Sequence, residues 1–459
     1  MTRGTKASAV LILAFCAWTE MPCKGQTAFP DKVWHEAPPE SQGVDPAKLQ
    51  AAVAYMDKNF GPEGANQLVV VRNGHLIWQG PDCDAYHEIY SATKVFTSTV
   101  LGLLVADGKC TLDTRAVEYL PELEDRHPAY ARITLRHLAS MTGGYRGKVA
   151  DVAKPEQPWG DPIIYVTTPD TPEFQPAGSQ VAYNDHDVHL LGRILAMRVA
   201  REPLKDIFQR RIAEPIGMTR WDWGVSGSVD GMLHYNVAGT PARKGHGGVR
   251  TTARELARFG LLYLNRGNWN GRQLLPASWV DAASAVQVPA STPGRSRALL
   301  SGAYGFYWWT NGELANGKRR WPAAPPKTYT AHGRSANFCF VIPEWNMVVV
   351  RLGRQPIRDG PAGLAQVDQL WDAFLGKLAA AVGLPSRGEM PWRKPRSRPA
   401  AKPSASREAR RTPPGRWAAR ITRRPKRRTP IPAPRWAQSQ TAGSARAFLH
   451  ASCLKEPGP

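Results

Sequence analysis

The segment from Ala92 to Ala106 is apolar nearly all round: Val95, Phe96, Val100, Leu101, Leu103, Leu104 and Val105 are separated by small residues and hydroxyls. A helix without a polar face has to be enclosed by protein on every side. The remainder of the chain must therefore supply layers around it, and Asp107-Gly108 ends it. The segment opens with Ser91-Ala92-Thr93-Lys94. Residues i and i+3 share a helix face, so the hydroxyl of Ser91 and the amine of Lys94 fall within reach of each other at the first turn.

The flanking sequence supplies both element types. Asp45-Pro46 opens a helix over 45–60, with apolar residues at helical spacing. The run QLVVVRNGHLIWQG then places two β-rich stretches on either side of Asn73-Gly74, whose positive φ preference suits a tight hairpin. The middle, roughly 115–240, mixes Pro-punctuated loops with short helices such as TLRHLASMTGG and DVHLLGRILAMRVA, the latter with Val188, Leu191 and Leu195 on one face. Thr252 and Glu255 form a capping-box pattern before a helix whose buried stripe is Leu256, Phe259 and Tyr263. YGFYWWTN, FCFVIPE and MVVVRLG read as strands, followed by the helix LAQVDQLWDAFLGKLAAAV. Strands at both ends with helices between them predict one antiparallel sheet built from the two ends of the domain, with the helical middle as a second lobe.

The termini have a different character. Met1–Lys6 carries basic residues and is followed by an apolar run of 12, ASAVLILAFCAW. That is short of the ~20 residues a bilayer span needs, so residues 1–25 are expected to be a signal peptide, with a periplasmic or secreted mature protein and no transmembrane span after its removal. Leu13-Ala14-Phe15-Cys16 approaches a lipoprotein motif, but Phe15 is too bulky before the modified cysteine.

The formal charge of +22 is concentrated at the other end: residues 386–459 hold 19 Lys and Arg against 3 acids, a net of +16. This Pro, Arg and Ala-rich tail is expected to be disordered, and three readings stand for it: binding to an acidic polymer, a solvated extension, or a miscalled reading frame. The domain at 26–385 is only mildly basic, which gives no support to nucleic-acid binding by the folded part. Cys83, Cys110 and Cys339 are the cysteines of that domain, and export would permit a disulfide such as Cys83 to Cys110 without establishing it. No CxxC or HExxH occurs, and neither metal nor cofactor is expected.

A serine at a helix N-terminus sits beside unpaired N–H groups and a partial positive charge, which suits the oxyanion of an acyl transfer. Burial against an apolar helix lowers a lysine's pKa in the direction a base requires. By itself SxxK is a weak pattern, since a helix cap followed by a solvated lysine has the same spelling.

Its company is more specific. VVVRNGHLIWQG, YSATKVFTSTVLGLLVADGKCTLDTRAVEYLPEL, ITLRHLASMTGG, VAYNDHDVHLLGRIL, GHGGVRTTARELARFGLLYLNRGNWNGRQLL and VIPEWNMVVVRLG, in this order over about residues 40–380, resemble the serine β-lactamase-related family: class C β-lactamases, penicillin-binding DD-peptidases, esterases and amide hydrolases. The resemblance implies a β-lactamase/transpeptidase-like α/β (α+β) fold, with an antiparallel sheet flanked by helices and a mainly helical lobe. It implies Ser91 as nucleophile, Lys94 as its activating partner and Tyr183 as shared general acid/base. The substrate would be a small-molecule ester, amide or peptide.

Two departures bear on substrate. Asp185 stands where the family usually has Asn; facing Lys94 it would favour the ammonium and move proton work toward Tyr183, unless it points away. The closing Lys/His-Thr/Ser-Gly motif is represented by Ala331-His332-Gly333, preferred over Lys327-Thr328-Tyr329 because glycine permits close approach at a strand edge. On this reading His332 is a substrate-side donor, and a backbone N–H near Arg334 joins that of Ser91 in an oxyanion hole. Without a firm cation there, an ester or small amide is expected rather than a carboxylate-bearing β-lactam. Class C β-lactamase or D-amino-acid peptidase activity, or a non-catalytic sensor of the same fold, are the alternatives.

Overall fold

Asn73 and Gly74 adopt φ of 51° and 82°, reversing the chain between the strands Leu68–Arg72 and His75–Gln79. These belong to a computed structural model that describes residues 27–145, 175–229, 232–235, 237, 239, 248–295, 300–354 and 361–382. The expected signal peptide and the basic tail both lie outside the described residues.

The other face of Leu68–Arg72 pairs antiparallel with Met347–Arg351, Val70 opposite Val349, so the two ends of the domain meet in mid-sheet. The sheet runs Trp309–Thr310, Tyr329–Gly333, Asn337–Ile342, Met347–Arg351, Leu68–Arg72, His75–Gln79, antiparallel throughout. Every residue of Asn337–Ile342 and Met347–Arg351 is buried, which explains the apolar runs Phe338–Ile342 and Met347–Val350.

Both faces are covered, and the period-2 alternation of a strand decides which side chain meets which layer. Phe338 and Phe340 pack against Trp371 of the helix Pro361–Ala381, with ring centroids 5.0 and 4.8 Å away. Cys339, between them, points to the opposite layer, where its Sγ lies 3.8 Å from the Leu256 carbonyl in the helix Ala253–Leu264. Leu256, Phe259 and Tyr263 are fully buried, as their spacing predicts.

The apolar helix, Lys94–Ala106, is enclosed as expected, buried from Lys94 to Leu104. Phe96 stacks on Phe259 at 4.6 Å, and Thr99 Oγ1 is 2.8 Å from the Tyr263 hydroxyl. A preceding 3-10 turn, Tyr90–Thr93, carries the serine.

Three local expectations are modified. The capping box is half made: Thr252 Oγ1 accepts the Glu255 N–H at 3.2 Å, but the Glu255 carboxylate accepts from Thr219 N at 3.1 Å, tying a distant loop to the helix start. The helix Asp185–Arg193 widens into a π-helical segment, Ile194–Ala200, while still burying Val188, Leu191 and Leu195. Cys83, Cys110 and Cys339 are each free and buried, so the pairing of Cys83 with Cys110 does not form. Among the described residues no helix is long and apolar enough to cross a membrane, and no group of His, Cys, Asp and Glu could hold a metal ion.

Candidate active site

Tyr90 has φ of 49°, a left-handed conformation that is costly for a residue with a bulky side chain. It turns the chain sharply out of the strand His87–Glu88 and presents Ser91 at the surface of the domain, half-exposed. The surroundings hold this turn from several sides. Ile89 N–H donates to the Val249 carbonyl at 3.0 Å, and Val249 N–H donates to Thr93 Oγ1 at 2.9 Å. Gly239 presses on the turn so closely that a Cβ there would lie 1.8 Å from the Tyr90 carbonyl oxygen. Only glycine fits that approach.

Below Ser91 stands Lys94, 1% exposed, its Nζ donating to Ser91 Oγ at 3.0 Å. The same Nζ lies 2.9 Å from Asp185 Oδ1 and 4.9 Å from the centre of the Tyr183 ring, with the Tyr183 hydroxyl in hydrogen-bond contact. Ser91, Tyr183 and Asp185 therefore converge on one buried ammonium, bringing together side chains 94 positions apart in sequence.

Burial acts to lower the Lys94 pKa, but the Asp185 carboxylate and then the Tyr183 hydroxyl outweigh it and hold the pKa above its ordinary value. Lys94 is thus held as the ammonium, the outcome expected if Asp185 faces it, and burial alone does not make it a neutral base. Asp185 does not point away. It is Asn184 that does: its side chain caps the helix, accepting from Asp187 N at 2.8 Å and donating to the Ala182 carbonyl at 2.8 Å.

The strand Tyr329–Gly333 runs alongside the serine turn. A Cβ at Gly333 would sit 2.0 Å from the Ile89 carbonyl oxygen, so the close approach this glycine permits is first to the protein's own backbone. The His332 ring is half-exposed, stacked on Phe338 at 4.2 Å and tilted against Trp309 at 5.1 Å. Arg334 follows at the tip, exposed. By contrast, Tyr329 is buried with its hydroxyl donating to the Tyr263 carbonyl at 3.1 Å, and Lys327 is on the surface, so Lys327-Thr328-Tyr329 does not form the site.

Trp309 is a site residue that sequence reasoning did not single out. Its ring lies 5.7 Å from that of Tyr183 and 5.1 Å from that of His332, forming a wall between them. Behind it the Arg320 guanidinium stacks at 4.3 Å and pairs with Asp368 through two contacts of 3.0 and 2.8 Å. Strand alternation could not have found it: of the expected strand YGFYWWTN only Trp309–Thr310 is strand, and Tyr307, with φ of 65°, breaks the run just before Trp308, which packs on Tyr263 at 4.5 Å.

A family model described as Beta-lactamase matches residues 58–368. A beta-lactamase of Pseudomonas fluorescens is 26% identical over 181 residues, 38% of this chain and 49% of that protein, so the chain spans about half the length of this relative. Among solved structures, a penicillin-binding protein homologue from Caulobacter crescentus aligns with a TM-score of 0.50 at 17% identity, covering 72% of this chain and 98% of that one. EstCE1, described as a hydrolase with promiscuous acyltransferase activity, aligns with a TM-score of 0.50 at 15% identity, over 72% of this chain and 98% of its own. At these identities the structural likeness establishes the fold alone.

Proposed function

Given that the chain belongs to the beta-lactamase family, we propose that it is a serine hydrolase cleaving an ester or small amide through an acyl-enzyme on Ser91. The observation that carries this reading is the contact of 3.0 Å between Lys94 Nζ and Ser91 Oγ, within a cluster completed by Tyr183 and Asp185. Ser91 Oγ attacks the substrate carbonyl. Tyr183, starting as the phenolate beside the Lys94 ammonium, accepts the serine proton to become the phenol and returns that proton to the leaving group, and water then repeats the steps to release the acid. Lys94 works as a fixed cation, balancing the negative charge that moves between Tyr183 and the tetrahedral intermediate. His332 and Trp309 line the substrate side.

Asp185 and His332 favour an ester or neutral amide over a carboxylate-bearing lactam, because Lys94, the buried cation beside Ser91, is already paired with Asp185. Mass analysis after fluorophosphonate treatment should find the adduct on Ser91. An adduct elsewhere, or none, overturns the reading, and faster turnover of a chromogenic cephalosporin than of a short-chain ester would favour class C lactamase activity.

The role given to Asp185 has its own signature. With Asp185→Asn the main influence raising the Lys94 pKa is gone while burial remains, so Lys94 loses its proton at lower pH. If the ammonium is the working form, the falling alkaline limb of the kcat/KM profile should move to lower pH. A limb that stays in place would show that the carboxylate does not govern Lys94 in the working enzyme.

The basic residues and apolar run at the N-terminus support export. N-terminal sequencing of protein from an exporting host should begin near residue 26; mature protein retaining Met1 would exclude cleavage.

A further inference from the structure

Arg351 is fully buried in the centre of the sheet, opposite Phe338 on one side and Leu68 on the other. A guanidinium there is expensive to bury, and an apolar side chain would fill the space at less cost. Burial pulls its pKa down to about 10, with Glu63 opposing. Four of its five N–H groups donate to backbone carbonyls. Nε donates to Gly64 O at 3.2 Å and Nη2 to Phe60 O at 2.9 Å, while Nη1 donates to Ser335 O at 3.1 Å and Ala336 O at 3.3 Å.

The last two acceptors are unusual. Ser335 and Ala336 have φ of 63° and 57°, two successive left-handed residues without a glycine. They form the tip of the hairpin in which Gly333 pairs with Asn337. Such a tip relaxes unless something outside it holds it. Arg351 holds the two carbonyls, and Asn337 holds the third: its Nδ2 donates to Arg334 O at 2.6 Å while its Oδ1 accepts the Gly353 N–H at 2.9 Å. The whole tip, Arg334–Ala336, is thereby tied to the strand Met347–Arg351 and its exit, and it abuts the Tyr90–Thr93 turn through Gly333.

We propose that Arg351 is a positioning residue for catalysis: from within the sheet it clamps the left-handed hairpin tip, with Asn337, so that the Arg334 backbone N–H is aimed at the oxyanion formed on Ser91. This rests on Ser91 being the nucleophile. A purely structural role would lower stability and scale all activities together. A role through the oxyanion hole acts selectively, because an N–H group stabilises a developing oxygen anion far better than a sulfur one.

The test compares hydrolysis of a nitrophenyl ester with that of its thionoester, sulfur replacing the carbonyl oxygen, in the wild type, Arg351→Lys and Asn337→Ala, each checked for a cooperative melt. Lysine keeps the charge and loses the fork. The expected result is a kcat for the ester lower by ~10-fold or more, with KM little changed and the thionoester rate falling less, so that the ester-to-thionoester ratio drops by a similar factor. An unchanged ratio in a folded variant overturns the proposal. Should Arg351→Lys not fold, the Asn337→Ala ratio decides, since that neutral side chain holds the same tip through the Arg334 carbonyl and its removal strands no buried charge. A wild type without ester turnover would instead count against the hydrolase reading itself, which separates the two failures.

Discussion

Ser91→Ala is expected to lower kcat/KM for a short-chain chromogenic ester by at least ~10³-fold, with the melting temperature nearly unchanged. The asymmetry follows from what the hydroxyl does in the resting protein. Ser91 is half-exposed and accepts a hydrogen bond from Lys94, which retains Asp185 when the hydroxyl is removed. No buried charge is left without its counter-ion, so the structural cost is small. The catalytic cost is large because no other side chain can form the acyl intermediate in that position. Retention of most of the ester activity, with the variant folded, would exclude Ser91 as nucleophile.

Gly333→Ala is expected to remove activity by ~10²-fold or more and to destabilise the fold by about 1–3 kcal/mol. The new methyl would lie 2.0 Å from the Ile89 carbonyl oxygen and 3.3 Å from Ala92 N. Both are backbone atoms of the serine turn, so no side-chain rotation can relieve the contact. The strand must retreat from the turn or the turn must move, and either separates Ser91 from His332 and the hairpin tip. Denaturant unfolding measures the first effect and ester kinetics the second. An alanine variant with wild-type kinetics would show that the spacing of strand and turn is not part of the catalytic geometry.

How far the sequence foretold these features depended on the range of the forces involved. Asn73-Gly74 announced its hairpin because the φ preference is a property of those two residues alone. The stripe Leu256, Phe259, Tyr263 announced its buried face by spacing, and the apolar spelling of Val95–Val105 required an enclosed helix. Glu255 shows the limit of such local rules: the pattern of a capping box is present, yet the carboxylate takes a partner 36 positions away. Asp185 shows it more sharply. Two orientations were open from the sequence, and the choice between Asp185 and Asn184 was made by helix capping, since Asn184 satisfies the Asp187 N–H and leaves Asp185 to face Lys94. Trp309 was hidden among five aromatic residues in eight, where composition marks a buried segment but not which ring borders a cleft.

By itself the sequence determined the elements, a sheet closed from both ends of the domain, membership of a family, and the serine–lysine pair at the head of a buried helix. The elements depend on periodicity, turn preference and spacing, which act over a few residues, while membership of the family rests on the resemblance of segments spread along the chain. Tertiary structure alone decided the charge on Lys94, the direction of Asp185, the wall formed by Trp309 and the clamp that Arg351 places on the hairpin tip. The physical reason is common to all four: a pKa, an ion pair and a strained turn are set by groups brought together through space, from positions as far apart in the chain as Lys94 and Asp185 or Phe60 and Arg351.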